Sequence, residues 1–127
     1  MKYLLDTHVF IWSLEENKKL KNSIKKILID PENQIFVSVI AGIEISTKTR
    51  SGKLRLKTTI KEMFEISGFE LLDVNFHHIL AYDKLSLHPN HKDPFDRILI
   101  SQAKAENLTL ITSDPKMWKY QVPVIKA

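Results

Sequence analysis

Asp93 and Asp96 lie three residues apart in HKDPFDRILISQAKAENLTLITSD, a stretch that runs from His91 to a third acid, Asp114. Asp96 stands at the start of an apolar helical pattern, and Asp114 stands three residues beyond the short β-like run Leu108–Ile111. An acid in the first turn of a helix and another just past the next strand can face each other across one sheet edge. Asp6, directly after Tyr3-Leu4-Leu5, and Glu44, about one turn into the helix after Ile35–Ser38, meet the same positional test. Four carboxylates converging there would repel by on the order of 4 kcal/mol per close pair at an effective dielectric near 20. Without a counter-charge, one or more would take up a proton. Oxygen ligands with no cysteine and no obligatory histidine suit Mg²⁺ or Mn²⁺ rather than zinc. Such a cation lowers the pKa of a coordinated water and offsets charge on a phosphodiester under in-line attack. A carboxylate that it does not fully engage can accept the water's proton. The implied chemistry is metal-assisted phosphodiester hydrolysis.

Each acid also has a simpler reading. Asp6 can cap the helix that follows it, and Glu44 can be a surface acid at a helix edge, although it follows Ile43 by one residue and Ile40 by four. Asp96 can complement the helix dipole, and Asp114 before Pro115 can form a turn or cap. Asp93, directly before Pro94, is best explained as an N-cap.

Composition narrows the remaining classes. With 127 residues, 43% of them hydrophobic and 27% charged, the chain has the balance of one globular domain covering residues 1–127. The absence of cysteine excludes disulfides, thiolate zinc sites and cysteine nucleophiles. No apolar run approaches the length of a membrane helix, and Asp6 interrupts the only segment placed like a signal peptide, so the expected location is cytoplasmic, with no membrane partner. A formal net charge of +4 permits an acidic partner such as nucleic acid. There is no GxSxG elbow and no Gly-rich phosphate loop, since the three glycines are scattered at 42, 52 and 68.

The elements that must position the acids alternate. Strands are expected at Tyr3–Leu5, Ile35–Ser38, Phe69–Val74, Leu108–Ile111 and Gln121–Val124, the last confined to an edge by Pro123. Helices are expected over Thr7–Leu14, Asn17–Ile29, Val39–Arg50 (with Ile40, Ile43 and Thr47 facing inward), Thr58–Ser67, from Asn75 through Tyr82, and from Pro94. Pro115–Tyr120 reads as a short helical turn, and His88-Pro89-Asn90-His91-Lys92 as a polar loop. This is an α/β fold: a central parallel sheet of about five strands with helices on both faces.

Lys48, Arg50, Lys53, Arg55 and Lys57 follow Glu44 closely and either grip nucleic-acid phosphates or form a solvated helix end. The lysines between Lys18 and Lys26 read as a solvent face. His77, His78, His88 and His91 have no helical metal-pair spacing and read as surface or capping residues. Phe10, Trp12 and Trp118 read as core or interface residues.

LLDTHVFIW at the start, IEIS around Glu44, GKL at 52–54, HKDPFDRILISQA at 91–103 and TLITSD at 109–114 together resemble the PIN-domain ribonucleases, and within them the VapC-type toxins of toxin–antitoxin pairs. The resemblance covers essentially the whole chain, and its most specific piece is HKDPFDR followed, eighteen residues after Asp96, by Asp114. It implies a Mg²⁺- or Mn²⁺-dependent endoribonuclease, cytoplasmic and homodimeric, held in check by a cognate antitoxin protein. By position, Asp6, Glu44, Asp96 and Asp114 match the family's acids, Asp93 a supporting acid, and Thr7 and Thr112 polar neighbours. Lys48, Arg50, Lys53 and Arg55 are the candidates for holding RNA. Ala41-Gly42-Ile43 departs from the aromatic and small-residue pattern that many relatives carry before the helix acid. Two other classes compete. A catalytically inert PIN-like binding module would keep the sheet and lose the chemistry. An aspartyl-nucleophile, metal-dependent phosphatase would need Asp-x-Asp after the first strand, where this chain has His8.

Overall fold

In the computed structural model, which describes residues 1–91 and 93–127, Tyr3 and Leu5 of the first strand turn to one side of a sheet and Leu4 to the other. All three are buried, as in a strand covered on both faces. This strand, β1 (Lys2–Leu5), is the middle of five. The others are β2 (Gln34–Ser38), β3 (Glu70–Leu72), β4 (Thr109–Thr112) and β5 (Val124–Lys126), in the order β3-β2-β1-β4-β5, all pairs parallel. The expected α/β architecture is therefore present.

Among the described residues, six α-helices connect the strands: α1 (Thr7–Glu15), α2 (Asn22–Ile29), α3 (Val39–Arg50), α4 (Ile60–Ser67), α5 (Phe76–Asp83) and α6 (Pro94–Ala105). A 3₁₀ turn, Pro115–Lys119, precedes β5. One core cluster joins Tyr3, Leu5, Val37 and Ile111 to Phe10, Ile24, Ile45 and Met63 from α1 to α4. The other joins Leu4 and Leu110 to Leu99, Ile100 and Ala103 of α6, with Met117 and Tyr120 beyond β4. Truncating a fully buried Leu of either cluster to Ala costs about 2–5 kcal/mol, a large share of a small domain's stability. The strand ends are thereby fixed firmly in place.

Chain order places the site. The strands run outward from β1 to β2 and β3, then the chain returns to the far side of β1 for β4 and β5. That reversal between β1 and β4 marks a switch point at the carboxyl ends of the strands, the place where parallel α/β sheets bind ligands. The C-termini of β1, β2 and β4 point to this edge because all are parallel. Helix α6 must run back to feed β4, so its N-terminus lies at the same edge.

Three local expectations differ from what is observed, each for a physical reason. The second helix begins at Asn22 rather than Asn17, because Glu16 takes a left-handed conformation (φ 51°) and Leu20 N–H bonds the Asn17 carbonyl in a separate turn. The last strand is Val124–Lys126 rather than Gln121–Val124: Pro123 has no N–H, and its carbonyl opens the ladder by accepting from Leu110 N–H at 2.9 Å. Ile43 and Thr47 face solvent, and the inner face of α3 carries Ile40, Ala41, Glu44 and Ile45. Lys92, in the polar loop, lies outside the described residues.

Candidate active site

Asp6 leaves β1 with its N–H bonded to the Ile111 carbonyl at 3.0 Å, one step beyond the last paired residue. Its Oδ1 accepts from Val9 N–H at 2.8 Å, so it does cap α1, and its Oδ2 accepts from the Thr112 hydroxyl. Capping and membership of the acid edge are thus compatible in one side chain. Burial pushes its carboxyl above the ordinary range, while the bonds from Thr112 and Val9 and the proximity of His8 pull the other way.

Glu44 lies in the second turn of α3, 8% exposed, on the face packed toward the sheet. The Thr7 hydroxyl donates to its Oε1 at 2.8 Å, and the Lys48 ammonium meets its Oε2 at 2.7 Å. Lys48 is one turn further along the same helix, the spacing that puts side chains side by side. Its ammonium also lies 3.5 Å from His8 Nε2. A basic group expected to face RNA phosphates is therefore engaged by Glu44, whereas Arg50, Lys53 and Arg55 are exposed.

Asp96 occupies the first turn of α6. Asp93 caps that helix, its Oδ1 accepting from Phe95 N–H at 2.9 Å, and Pro94 follows at the first helical position. Asp93 itself is exposed. The Asp96 carboxyl is pushed up from 3.8 to about 6, first by burial, then by the neighbouring charges of Asp93 and Glu44, against a bond and a favourable charge from His91. Asp114 follows β4, its Oδ1 capping the 3₁₀ turn through Lys116 N–H at 3.0 Å, while its own N–H donates to Thr112 Oγ1 at 3.1 Å. Thr112 therefore bridges Asp6 to Asp114. Ligand atoms of His91, Asp96 and Asp114 all lie within 4.8 Å of one another.

The acids from β1, α3, α6 and β4 are in this way linked at one edge by Thr7, by Thr112 and by mutual field. The donor set fits a divalent cation: two carboxylates, Asp96 and Asp114, and the His91 imidazole lie within reach of one ion. Asp96 is a half-buried acid whose charge its acidic neighbours oppose, whereas Asp6 and Glu44 lie outside that group. The sequence reading missed His91. It is 4% exposed rather than a surface residue, with Nε2 2.9 Å from Asp96 Oδ2 and Nδ1 2.9 Å from Tyr120 Oη. It also passed over Arg97, which is buried and donates to Tyr120 Oη at 3.0 Å and to the Ser86 carbonyl at 2.9 Å. The contiguity of His91, Asp96 and Arg97 within HKDPFDR was the available signal. His78 is a capping residue as expected, closing a capping box with Asn75, and it is fully buried against Glu106.

A groove lined by Leu28, Asp30, Asn33, Ser67 and Glu70 lies where β2 and β3 begin, at the opposite edge from the acids. A cavity lined by Leu87, His88, Pro89, His91 and Arg97 adjoins the cluster through His91.

A parallel α/β sheet with carboxylates gathered at its switch point is the class of protein defined so far. The chain belongs to the PIN domain family, whose model matches residues 3–122. No curated protein matches it by sequence. Solved structures share its fold. VapBC-1 from nontypeable Haemophilus influenzae is similar at 20% identity and TM-score 0.73, covering 99% of this chain and 98% of the other. VapBC2 from Rickettsia felis, bound to a DNA fragment from its promoter, is similar at 21% identity and TM-score 0.71 with the same coverage. VapBC-5 from Mycobacterium tuberculosis, of the VapBC family of toxin–antitoxin systems, is similar at 16% identity and TM-score 0.63, again covering 99% and 98%. Among the described residues, no helix is long and apolar enough to cross a membrane.

Proposed function

We propose that this protein, as a single domain over residues 1–127, is a divalent-metal-dependent endoribonuclease. It acts as the toxin of a toxin–antitoxin pair in the cytoplasm, working as a homodimer restrained by a cognate antitoxin. The observation that carries this reading is the convergence of Asp96 with Glu44, Asp93 and Asp114 at the carboxyl edge. Burial first, and then the charges of Asp93 and Glu44, push the Asp96 carboxyl up to about 6, and a cation bound there would offset that cost. Membership of the PIN domain family and likeness in fold to VapBC structures support the nuclease and antitoxin parts.

Asp6, Glu44, Asp96 and Asp114 would hold Mg²⁺, or Mn²⁺ in its place. Bound there, the cation supplies Lewis acidity toward water and toward the charge that develops on a phosphodiester. Thr7 and Thr112 fix the carboxylates of Glu44 and Asp6, and Lys48 neutralises Glu44. Arg50, Lys53 and Arg55 offer charge to RNA phosphates flanking the scissile bond. An edge rather than an enclosed cavity suits a polymeric substrate.

The test is cleavage of a mixed RNA substrate by the purified protein with Mg²⁺ or Mn²⁺ and with chelator, alongside Asp6→Asn and Asp96→Asn. Metal-dependent cleavage lost in both variants is expected, and cleavage at the unmodified rate by either variant would refute the assigned site. The Lys48–Glu44 ion pair favours a second reading, an inert binding module, because it partly neutralises the cluster without metal. Absence of saturable Mn²⁺ binding and of metal-dependent stabilisation would select that module.

A further inference from the structure

Tyr120 is buried, and its hydroxyl accepts a hydrogen bond from Arg97 Nη1 at 3.0 Å. Arg97 is itself pinned by the carbonyls of Ser86 (2.9 Å) and Leu85 (3.4 Å), so the direction of this bond is fixed: a guanidinium only donates. The phenol has one hydrogen left to place, and His91 Nδ1 stands 2.9 Å away. If Nδ1 carried a proton, the buried phenol hydrogen would have no acceptor there. At the far side of the ring, Nε2 faces Asp96 Oδ2 at 2.9 Å, and a carboxylate oxygen calls for a donor. Both ends of the imidazole give the same answer: Nδ1 accepts and Nε2 carries the hydrogen.

The ring is also fixed in space. His91 closes a His88-Pro89-Asn90-His91 turn, its N–H bonding the His88 carbonyl at 2.9 Å, and it packs edge-on against Tyr120 at 5.5 Å between centroids. With Oδ2 occupied by Nε2–H, Asp96 keeps Oδ1, to which no donor among the described residues is bonded, for a ligand on the acid edge.

We propose that His91 is a positioning residue: the chain Arg97–Tyr120–His91 fixes the imidazole as an Nε2–H donor that holds Asp96 with one carboxylate oxygen turned to the metal. This deepens the metal-site reading and rests on it. Hydrogen-bonded partners of metal ligands of this kind contribute about 10- to 100-fold to metal affinity. The competing arrangement uses the same residues, with His91 Nε2 as a direct ligand beside Asp96 and Asp114, and it demands the opposite tautomer.

The test uses the full chain and two readouts. Long-range ¹H–¹⁵N correlation of the His91 ring, without and with saturating Mg²⁺, should show protonated Nε2 and bare Nδ1 in both states. Loss of the Nε2 proton on Mg²⁺ binding would make His91 a ligand and overturn the proposal. Mn²⁺ titration followed by the electron paramagnetic resonance of the free ion then compares His91→Gln, whose amide N–H can replace Nε2–H, with His91→Asn, whose amide cannot reach Asp96. Affinity within about threefold of the unmodified protein for His91→Gln and a loss of at least about tenfold for His91→Asn is expected. Equal losses, or no loss in either, would overturn it. Tyr120→Phe, which leaves Arg97 its two carbonyls, guards against misfolding in the histidine variants. It should weaken Mn²⁺ binding severalfold while keeping a single cooperative melting transition, and unaltered affinity would refute the role given to the chain. If the unmodified protein binds no Mn²⁺, the metal-site reading itself fails and the proposal falls with it.

Discussion

The acid edge has two halves built on different principles. On the β1 and α3 side, Asp6 and Glu44 are buried and each is met by donors: Val9 N–H and the Thr112 hydroxyl for one, the Thr7 hydroxyl and the Lys48 ammonium for the other. On the α6 and β4 side, Asp96 has His91 as its partner and is opposed by Asp93 and Glu44, with Asp114 close by. One half is largely satisfied within the chain. The other is short of positive charge. On the proposed reading a divalent cation would supply charge mainly to the second half, while the donors of the first hold Asp6 and Glu44 in place, and the variants that follow break or sharpen that difference.

The largest expected effect is on activity. Asp96→Asn and Asp6→Asn should each reduce RNA cleavage to background in a gel assay, because a cation held by both halves loses a ligand in either case. If Asp6→Asn kept substantial activity, the satisfied half would be scaffold rather than site.

The next effect is on the pH dependence of stability without metal. Asp96 has its folded pKa raised from 3.8 to about 6, and that of Asp6 is raised as well. Between the unfolded and folded values the native state holds more protons than the unfolded state, so stability falls as pH rises through this window. A calorimetric scan in chelator should thus give a higher Tm at pH 5 than at pH 7.5. Millimolar Mg²⁺ should raise Tm at pH 7.5 and have little effect at pH 5, where Asp96 is mostly protonated. In Asp96→Asn the part of this slope due to Asp96 should vanish and the part due to Asp6 should remain.

These expectations rest on residues that were unevenly legible from the chain. Asp6, Asp93, Asp96 and Asp114 could be placed because strand ends and cap positions are local patterns, readable from an apolar run, a Pro or a turn. Glu44 was placed correctly on α3 while the face around it was not: Ile43 and Thr47 turn outward, and Glu44 is buried beside Ile45 with Lys48 half-buried one turn on. A polar site inserted into the inner face of a helix inverts the apolar signal that normally marks that face. His91 was illegible for another reason. Its partners are Asp96 across a helix cap and Tyr120, 29 residues away, and no helical or strand period connects such positions. Alternation of strands and helices implied a parallel sheet, whereas its order, with the reversal between β1 and β4, depends on which face each helix covers.

A smaller effect distinguishes the halves by sign. Asp96→Asn removes a charge that its surroundings oppose, so at pH 7.5 without metal it should raise stability slightly, by less than about 1 kcal/mol after solvent screening. Glu44→Gln removes the carboxylate that meets Lys48 at 2.7 Å and leaves the half-buried Lys48 without its partner. It should lower stability by about 1 kcal/mol, near 4 °C in Tm. Urea denaturation of the two variants under identical conditions checks this. Changes of the same sign would mean that the halves do not differ as described.

The smallest effect concerns Asp93, which touches neither half directly but acts on one of them. Its Oδ1 caps α6 through Phe95 N–H, and its charge is among the causes that raise the Asp96 pKa. Asparagine caps as well as aspartate, so Asp93→Asn should change stability by only a few tenths of a kcal/mol, whereas Asp93→Ala should cost about 1 kcal/mol. Asp93→Asn nevertheless withdraws a negative charge from beside Asp96, so the Asp96 titration, followed by carboxyl ¹³C chemical shift, should move to lower pH. Mn²⁺ affinity should fall modestly, since the cation loses a nearby anion without losing a ligand. A tenfold or greater loss of affinity in Asp93→Asn would make Asp93 a ligand and place the charge-deficient half around three acids of its own.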